Sequence, residues 1–237
     1  MTTIVISQPM FFPWIGLFEQ IRLADIYIHY DDVQIPQGRS FINRVQIKTI
    51  NGCKWLTVPI SHSGLQMIKD VRVDETSKWR EKHVNILRHS YSKSPYFAEM
   101  IQLVHEIYSL KTDFLNEINI YAIEKVCEYF SLNTNFKTAS HYPNQLHSSE
   151  KLYKLVSDFG GTRYLTGWGA KNYLDHSMFE RNGIKVDYMD YEMRPYAQLF
   201  GEFTPYVSIL DLIANKGKMG KDYLCSGTKY WRDFCSG

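Results

Sequence analysis

The chain opens with TIVISQP, residues 3–9, an apolar run closed by a polar residue and a proline. That pattern predicts a short buried strand. The loop MFFPW follows. From Ile15 to Leu23 the apolar residues Leu17, Phe18, Ile21 and Leu23 fall on one face at helical spacing. DIYIHY, 25–30, predicts a second strand. Strand, helix and strand together span roughly 30 residues, enough for the minimal crossover of a parallel sheet. FINRVQIK (41–48) alternates, and KWLTVPI (54–60) is strand-like; the intervening INGC carries an Asn-Gly turn signal, so the two predict a hairpin.

Helical spacing then takes over. A helix over 77–91 opens with Ser77 as N-cap and Glu81 in its early turns, Pro95 permits a new start, and a second helix runs from Tyr96 to Leu110. Thr112 or Asp113 caps a third, reaching Phe130. Residues 133–148 are polar, carry Pro143 and read as loop around a short strand. Helix resumes over 149–158 and stops at Gly160 and Gly161. RYLTG and GIKVDYM (183–189) predict strands, and SILDLIANKG (208–217) a helix with its glycine stop. This order predicts an α/β fold, a layered Rossmann-like mixed sheet with a helical insertion over 77–130. It places a single domain over 1–217 and an irregular tail over 218–237.

Composition narrows the function classes. The chain has 237 residues, 44% hydrophobic and 22% charged, with a formal net charge of +2. That balance argues against bulk electrostatic binding of nucleic acid. Aromatic residues reach 15%, with 17 tyrosines, a type suited both to a core and to a wet pocket. Cys53, Cys127, Cys225 and Cys235 lie far apart, with no CxxC pair. Glu19 and the prolines break the first apolar run, and no stretch has the roughly 18 apolar residues of a membrane span. The expected compartment is the reducing cytoplasm, with free thiols. His29, His62, His83, His89, His105, His141, His147 and His176 show neither HxH nor HExxH spacing, so a structural zinc site is not expected and no metal ligand is assigned. Nothing in the sequence points to a particular cofactor.

Six segments carry candidate chemistry. In SQPMFFPWIGLF, Gln8, Pro9 and Trp14 sit where a strand leaves the sheet and a helix begins, a place where α/β proteins bind ligands and anions. A rigid turn with an aromatic plug is the structural alternative. YDDVQ puts Asp31 and Asp32 at the end of the second strand, as a general base, a magnesium ligand or a solvated strand end. FINR adds Asn43 and Arg44, the latter suited to phosphate or to pairing with an aspartate. Lys82 and His83 are neighbours on the first insertion helix, an acid–base pair or a structural one. YLTGWGAKNYL offers Gly167 and Gly169 for close backbone approach or for a plain turn. Asp211 and Asn215 follow at helical spacing on the last helix.

Taken in order, QPxxFPxxGxF, YDDVQ with FINR, WxTxP at 55–59, the Lys82–His83 helix with SPYF, YLTGxGAxxYL and SILDLIANKG resemble the WbqC-like protein family of bacterial surface-polysaccharide clusters, from about residue 4 to 217. The resemblance implies a role in modifying a nucleotide-linked amino sugar, by transfer of an acyl or aminoacyl group such as glycyl to the sugar amine. It implies a nucleotide-linked sugar and an activated acyl or aminoacyl donor as partners. On that reading Asp31, Asp32 and His83 are the catalytic candidates. Gln8, Pro9, Trp14, Asn43, Arg44, Lys82, Gly167, Gly169, Asp211 and Asn215 are the binding candidates, and the diphosphate lies against the helix after Pro13. A non-catalytic sugar-binding assembly protein and a metal-assisted hydrolase are the alternatives. Trp168 and the cysteine-bearing tail depart from the family pattern.

Overall fold

The computed structural model describes residues 1–38, 40–61 and 64–236, so His62 lies outside the described residues. The first strand, β1 (Thr3–Ser7), is followed by α1 (Ile15–Arg22) and then by β2 (Ile26–His29), paired parallel to β1 with Ile4 opposite Ile26 and Ser7 opposite His29. Every other side chain of β1 points to the opposite face of the sheet. Val5 joins the core that holds Leu17, Phe18 and Ile21 of α1. Ile4 and Ile6 join a second core on the other face. An unbroken apolar run is what a strand covered on both sides requires.

The crossover from β2 carries the insertion. It comprises the hairpin β3 (Arg44–Thr49) and β4 (Gly52–Thr57), a small ladder of β5 (Ile60–Ser61) with β6 (Arg72–Val73), and the helices α2 (Trp79–Tyr91), α3 (Phe97–Tyr108) and α4 (Leu115–Tyr129). The chain returns in β7 (Asn135–Thr138), beside β2, and continues through α5 (Ser148–Asp158) to β8 (Arg163–Thr166) on the free side of β1. Then come α6 (His176–Arg181) and β9 (Lys185–Asp190), and later α7 (Ile209–Lys216). α5 covers the second face with Leu152, Leu155 and Val156.

The tail is not irregular. A 3-10 turn over Gly217–Tyr223 leads into β10 (Gly227–Tyr230), antiparallel to β9, and α8 (Trp231–Ser236). GTKY is short and half polar, so its pairing with β9 creates the strand, not its own pattern. The six-residue α6 had no sequence signal either, yet it makes β8–β9 a parallel crossover.

From one edge the strands run β7-β2-β1-β8-β9-β10. Counted in chain order this is 3-2-1-4-5-6, the doubly wound arrangement, with only the last strand reversed. The winding direction switches between β1 and β8, and ligands bind outside the carboxyl ends of such a pair. No helix of the described residues is long and apolar enough to cross a membrane.

Candidate functional site at the switch point

A cavity of about 340 Å3 lies at this switch point. Ser7, Gln8 and Met10 come from the exit of β1, Gln20 from α1 and Tyr30 from the exit of β2. The opposite wall is Tyr164 and Thr166 of β8, then Gly167, Gly169 and Tyr173. Every polar lining group is an amide, a hydroxyl or backbone. Gln20 is 9% exposed and donates from Nε2 to the Tyr191 hydroxyl at 2.6 Å. A Cβ on Gly167 would lie 3.0 Å from that Nε2, so the glycine makes room for the glutamine. Around Gly169 the space is open. Burial raises the pKa of Tyr30, with the charge of Asp32 adding to it, and burial likewise raises Tyr164 and Tyr173. All three phenols therefore stay protonated near neutral pH.

Asp31 and Asp32 diverge at the end of β2. Asp32 pairs with Lys151 of α5, Oδ2 to Nζ 2.8 Å, both side chains largely buried. The same Nζ sits 5.2 Å from the Tyr30 ring centre, so the ion pair stands beside a crevice wall. Asp32 Oδ1 is buried with no hydrogen-bond partner. Asp31, 1% exposed, accepts from Asn116 Nδ2 and from the Ser140 amide and hydroxyl. It thereby ties β2 to α4 and the turn after β7, and it lines a different cavity with Lys69 and Glu117.

The other candidates do not gather with Gln8. His83 is 4% exposed, with Trp79 and Phe11 rings 5.2 and 5.8 Å away. Its Nε2 donates to the Thr57 carbonyl at 3.1 Å, and its Nδ1 accepts from the Tyr108 hydroxyl at 3.0 Å. Burial lowers its pKa to about 4. The Asn43 amide donates to the Val58 carbonyl, closing the hairpin entry. Arg44 donates to the Ser40 carbonyl and lies 4.7 Å over the Trp55 ring, not against Asp31 or Asp32. Lys82 points to solvent. Asp211 is 1% exposed and accepts from the Tyr91 and Tyr196 hydroxyls and from Asn215, so both helix residues belong to a buried network. Pro9 is buried, its carbonyl accepting from Asn119. Trp14 caps α1 without a side-chain bond and packs on Tyr191 and Tyr206. The start of α1 forms a bridge with Ser208 and does not line the crevice, so a diphosphate in the crevice would not meet that helix end.

Gln8, Gly167 and Gly169 are thus brought together. Gln20, Tyr30, Tyr164 and Tyr173 are additions that the sequence did not single out. A glutamine on a short apolar helix, and two tyrosines bracketing the glycine segment, were the available signals. Among the described residues no three His, Cys, Asp or Glu side chains cluster as metal ligands. Asp31, Asp32 and His83 each bond to different partners, an arrangement that does not fit the metal-assisted hydrolase.

The model of the WbqC-like protein family matches residues 8–223. The chain belongs to the WbqC-like protein family. A Mycobacterium tuberculosis (strain ATCC 25618 / H37Rv) protein named "Uncharacterized protein Rv1507c" is 34% identical over 228 residues, 94% of this chain and 98% of its own. No solved structure matches the chain. The WbqC-like match contains nearly all of both crevice walls, while β1, β10 and α8 lie outside it. The Trp168 ring in the crevice-wall segment meets Phe234 of α8 at 4.9 Å.

Proposed function

We propose that this WbqC-like protein binds a nucleotide-linked amino sugar in the switch-point crevice and transfers an acyl or aminoacyl group to the sugar amine. The supporting observation is the crevice itself: about 340 Å3, at the carboxyl ends of β1 and β8, lined by amides and phenols without an ionised side chain. Amides satisfy sugar hydroxyls, and tyrosine faces suit the apolar side of a pyranose. The volume lies near the lower end of small-molecule pockets.

The amine must be neutral to attack. Asp32 is assigned as its base: it does not itself line the crevice, but its Lys151 partner stands 5.2 Å from the ring centre of the crevice-lining Tyr30. The amine nitrogen bonds to the acyl carbonyl carbon and the bond from that carbon to the donor's leaving group breaks. The proton lost by nitrogen passes to Asp32 and then to the leaving group. A positioned base contributes on the order of 100-fold to 10,000-fold in rate.

The second reading is a sugar-binding assembly protein without catalysis. It is favoured by the neutral lining and by the burial of His83 in the core. One experiment separates the two. The purified protein is titrated with nucleotide-linked amino sugars by calorimetry, then incubated with activated acyl and aminoacyl donors, and products are read by mass spectrometry. Acylated sugar supports transfer. Binding without product from any donor favours the assembly reading, and no binding of any nucleotide-sugar overturns both.

A further inference from the structure

The β1–α1 loop lines a second cavity, of about 270 Å3, that the crevice chemistry leaves unused. Phe11, Pro13 and Trp14 supply it from the loop, and Val45 from β3. Phe41 and Tyr206, 53% and 60% exposed, stand at its rim. Its side chains offer two polar atoms, the Trp14 indole nitrogen and the Tyr206 hydroxyl, and no charge. An ammonium or a phosphate placed here would lose hydration without gaining a partner. A nucleobase would leave most of its hydrogen-bonding edge unmet. A saturated chain or an aryl ring would gain from the burial.

Met10 lines both this cavity and the crevice, and among the described residues no other does so. Methionine is unbranched and flexible, the side chain best able to swing between two spaces. Met10 therefore stands between a polar cavity and an apolar one. Group transfer needs two substrates whose reacting atoms approach to about 3–3.5 Å. Two cavities that share a flexible lining residue are the pair on this chain to test for that arrangement.

We infer that the apolar cavity is the donor subsite, that it takes an apolar acyl group, aliphatic or aryl, and that Met10 is the partition between donor and acceptor. The inference rests on the transferase reading and narrows it. An aminoacyl group such as glycyl carries an ammonium and finds no counter-charge here, so the transferred group is an uncharged acyl.

The test uses the full chain, with its Met and Val methyl groups labelled for NMR, titrated with hexanamide and benzamide, and separately with acetamide, glycinamide and uridine. Hexanamide and benzamide should shift the Met10 and Val45 methyl signals, and the other three should not. Phe41→Asp and, separately, Tyr206→Ser alter exposed rim positions and leave the core intact. Phe41→Asp should weaken hexanamide by about tenfold or more, equivalent to about 1.4 kcal/mol. Tyr206→Ser should weaken benzamide more than hexanamide. Unmoved Met10 and Val45 signals with both apolar amides, or equal shifts with glycinamide or uridine, would overturn the assignment. Nucleotide-sugar binding is measured apart from these probes. Amide binding without nucleotide-sugar binding refutes the crevice reading alone, and the reverse result refutes the donor subsite alone.

Discussion

A histidine beside a lysine invited an acid–base role, and His83 now makes the opposite prediction. A carbonyl oxygen only accepts, so the bond to Thr57 fixes the proton on Nε2, and Nδ1 is left to accept from Tyr108. Both nitrogens are used and the ring is enclosed by aromatic side chains. Its pKa falls from the ordinary value of about 6.5 to about 4 because the charged form loses hydration. Between those values the unfolded chain holds a proton that the folded chain lacks. Stability from this site is therefore complete above about pH 6.5 and is lost as pH falls toward 4. From pH 7 to pH 5 the loss is about 2 kcal/mol, or about 4–8 °C in Tm for a domain of this size. His83→Gln removes the titration, while every other acid-titrating group stays. Thermal melts of both proteins from pH 7 to pH 4.5 should show a shallower fall for the variant by about that amount. Parallel falls, or an imidazole midpoint near 6.5 by NMR, would refute the reasoning and return His83 to the acid–base candidates.

Gly167→Ala should displace the Gln20 amide by a few tenths of an ångström against Tyr191, because the new Cβ arrives 3.0 Å from Nε2. Nucleotide-sugar affinity should fall by about 1 kcal/mol, a factor of about five, by calorimetry, with Tm nearly unchanged. Lys151→Met leaves the Asp32 carboxylate buried and unpaired and should cost about 3 kcal/mol in urea unfolding. Adding Asp32→Asn to that variant should recover most of the loss; no recovery would mean the pair is not coupled as described. Cys53→Ser, Cys225→Ser and Cys235→Ser should change unfolding free energy by less than about 0.5 kcal/mol. Cys127→Ser buries a hydroxyl where the thiol is 1% exposed and its pKa is raised by that burial, and should cost about 1–2 kcal/mol without altering ligand binding. Phe234→Ala removes the ring that touches Trp168 and stacks on Tyr188 at 4.3 Å. Amide hydrogen exchange over residues 167–171 should then rise, and unchanged exchange would show that α8 does not hold the crevice wall.

The fold was legible wherever a segment's environment is set by its own pattern. β1 is covered on both faces, so its unbroken apolar run announces a central strand. The hairpin turn closes between Thr49 and Gly52, with Gly52 at φ +94°, close to where the Asn-Gly signal put it. The expected strand over 41–48 starts later, at Arg44, because the backbone at 41 and 42 is engaged outside the hairpin. The Phe41 carbonyl accepts from the Phe11 amide and the Ile42 carbonyl from the Asn119 side chain, while the Asn43 carbonyl still accepts from Val58 in the hairpin register. β10 was hidden because its partner, β9, lies more than thirty residues back and supplies the ladder that GTKY cannot specify alone.

The site divides along the same line. Gln8, Gly167 and Gly169 could be read because they occupy the exits of β1 and β8, and a strand's exit is fixed by the strand. Asp31, Asp32, Asn43 and His83 look equally reactive in the sequence, but their fate depends on what arrives from a distance. Asp31 is satisfied by Asn116 and Ser140, 85 and 109 positions away. His83 is satisfied by Thr57 and Tyr108, from outside its own helix. A side chain whose lone pairs are already filled by the fold has little left for a substrate, whatever its type. Adjacent Asp31 and Asp32 make the point within one dipeptide. Asp31 has its acceptors taken by three donors, whereas Asp32 keeps Oδ1 unmet and places its charge beside Tyr30. If one of these carboxylates takes a proton from a substrate, Asp32, whose Lys151 partner stands beside the crevice-lining Tyr30, is the nearer candidate, and Asp31 lines a different cavity. Asp32→Asn, made together with Lys151→Met so that no buried lysine is left unpaired, should then abolish transfer while leaving nucleotide-sugar binding in place, whereas Asp31→Asn should chiefly lower stability.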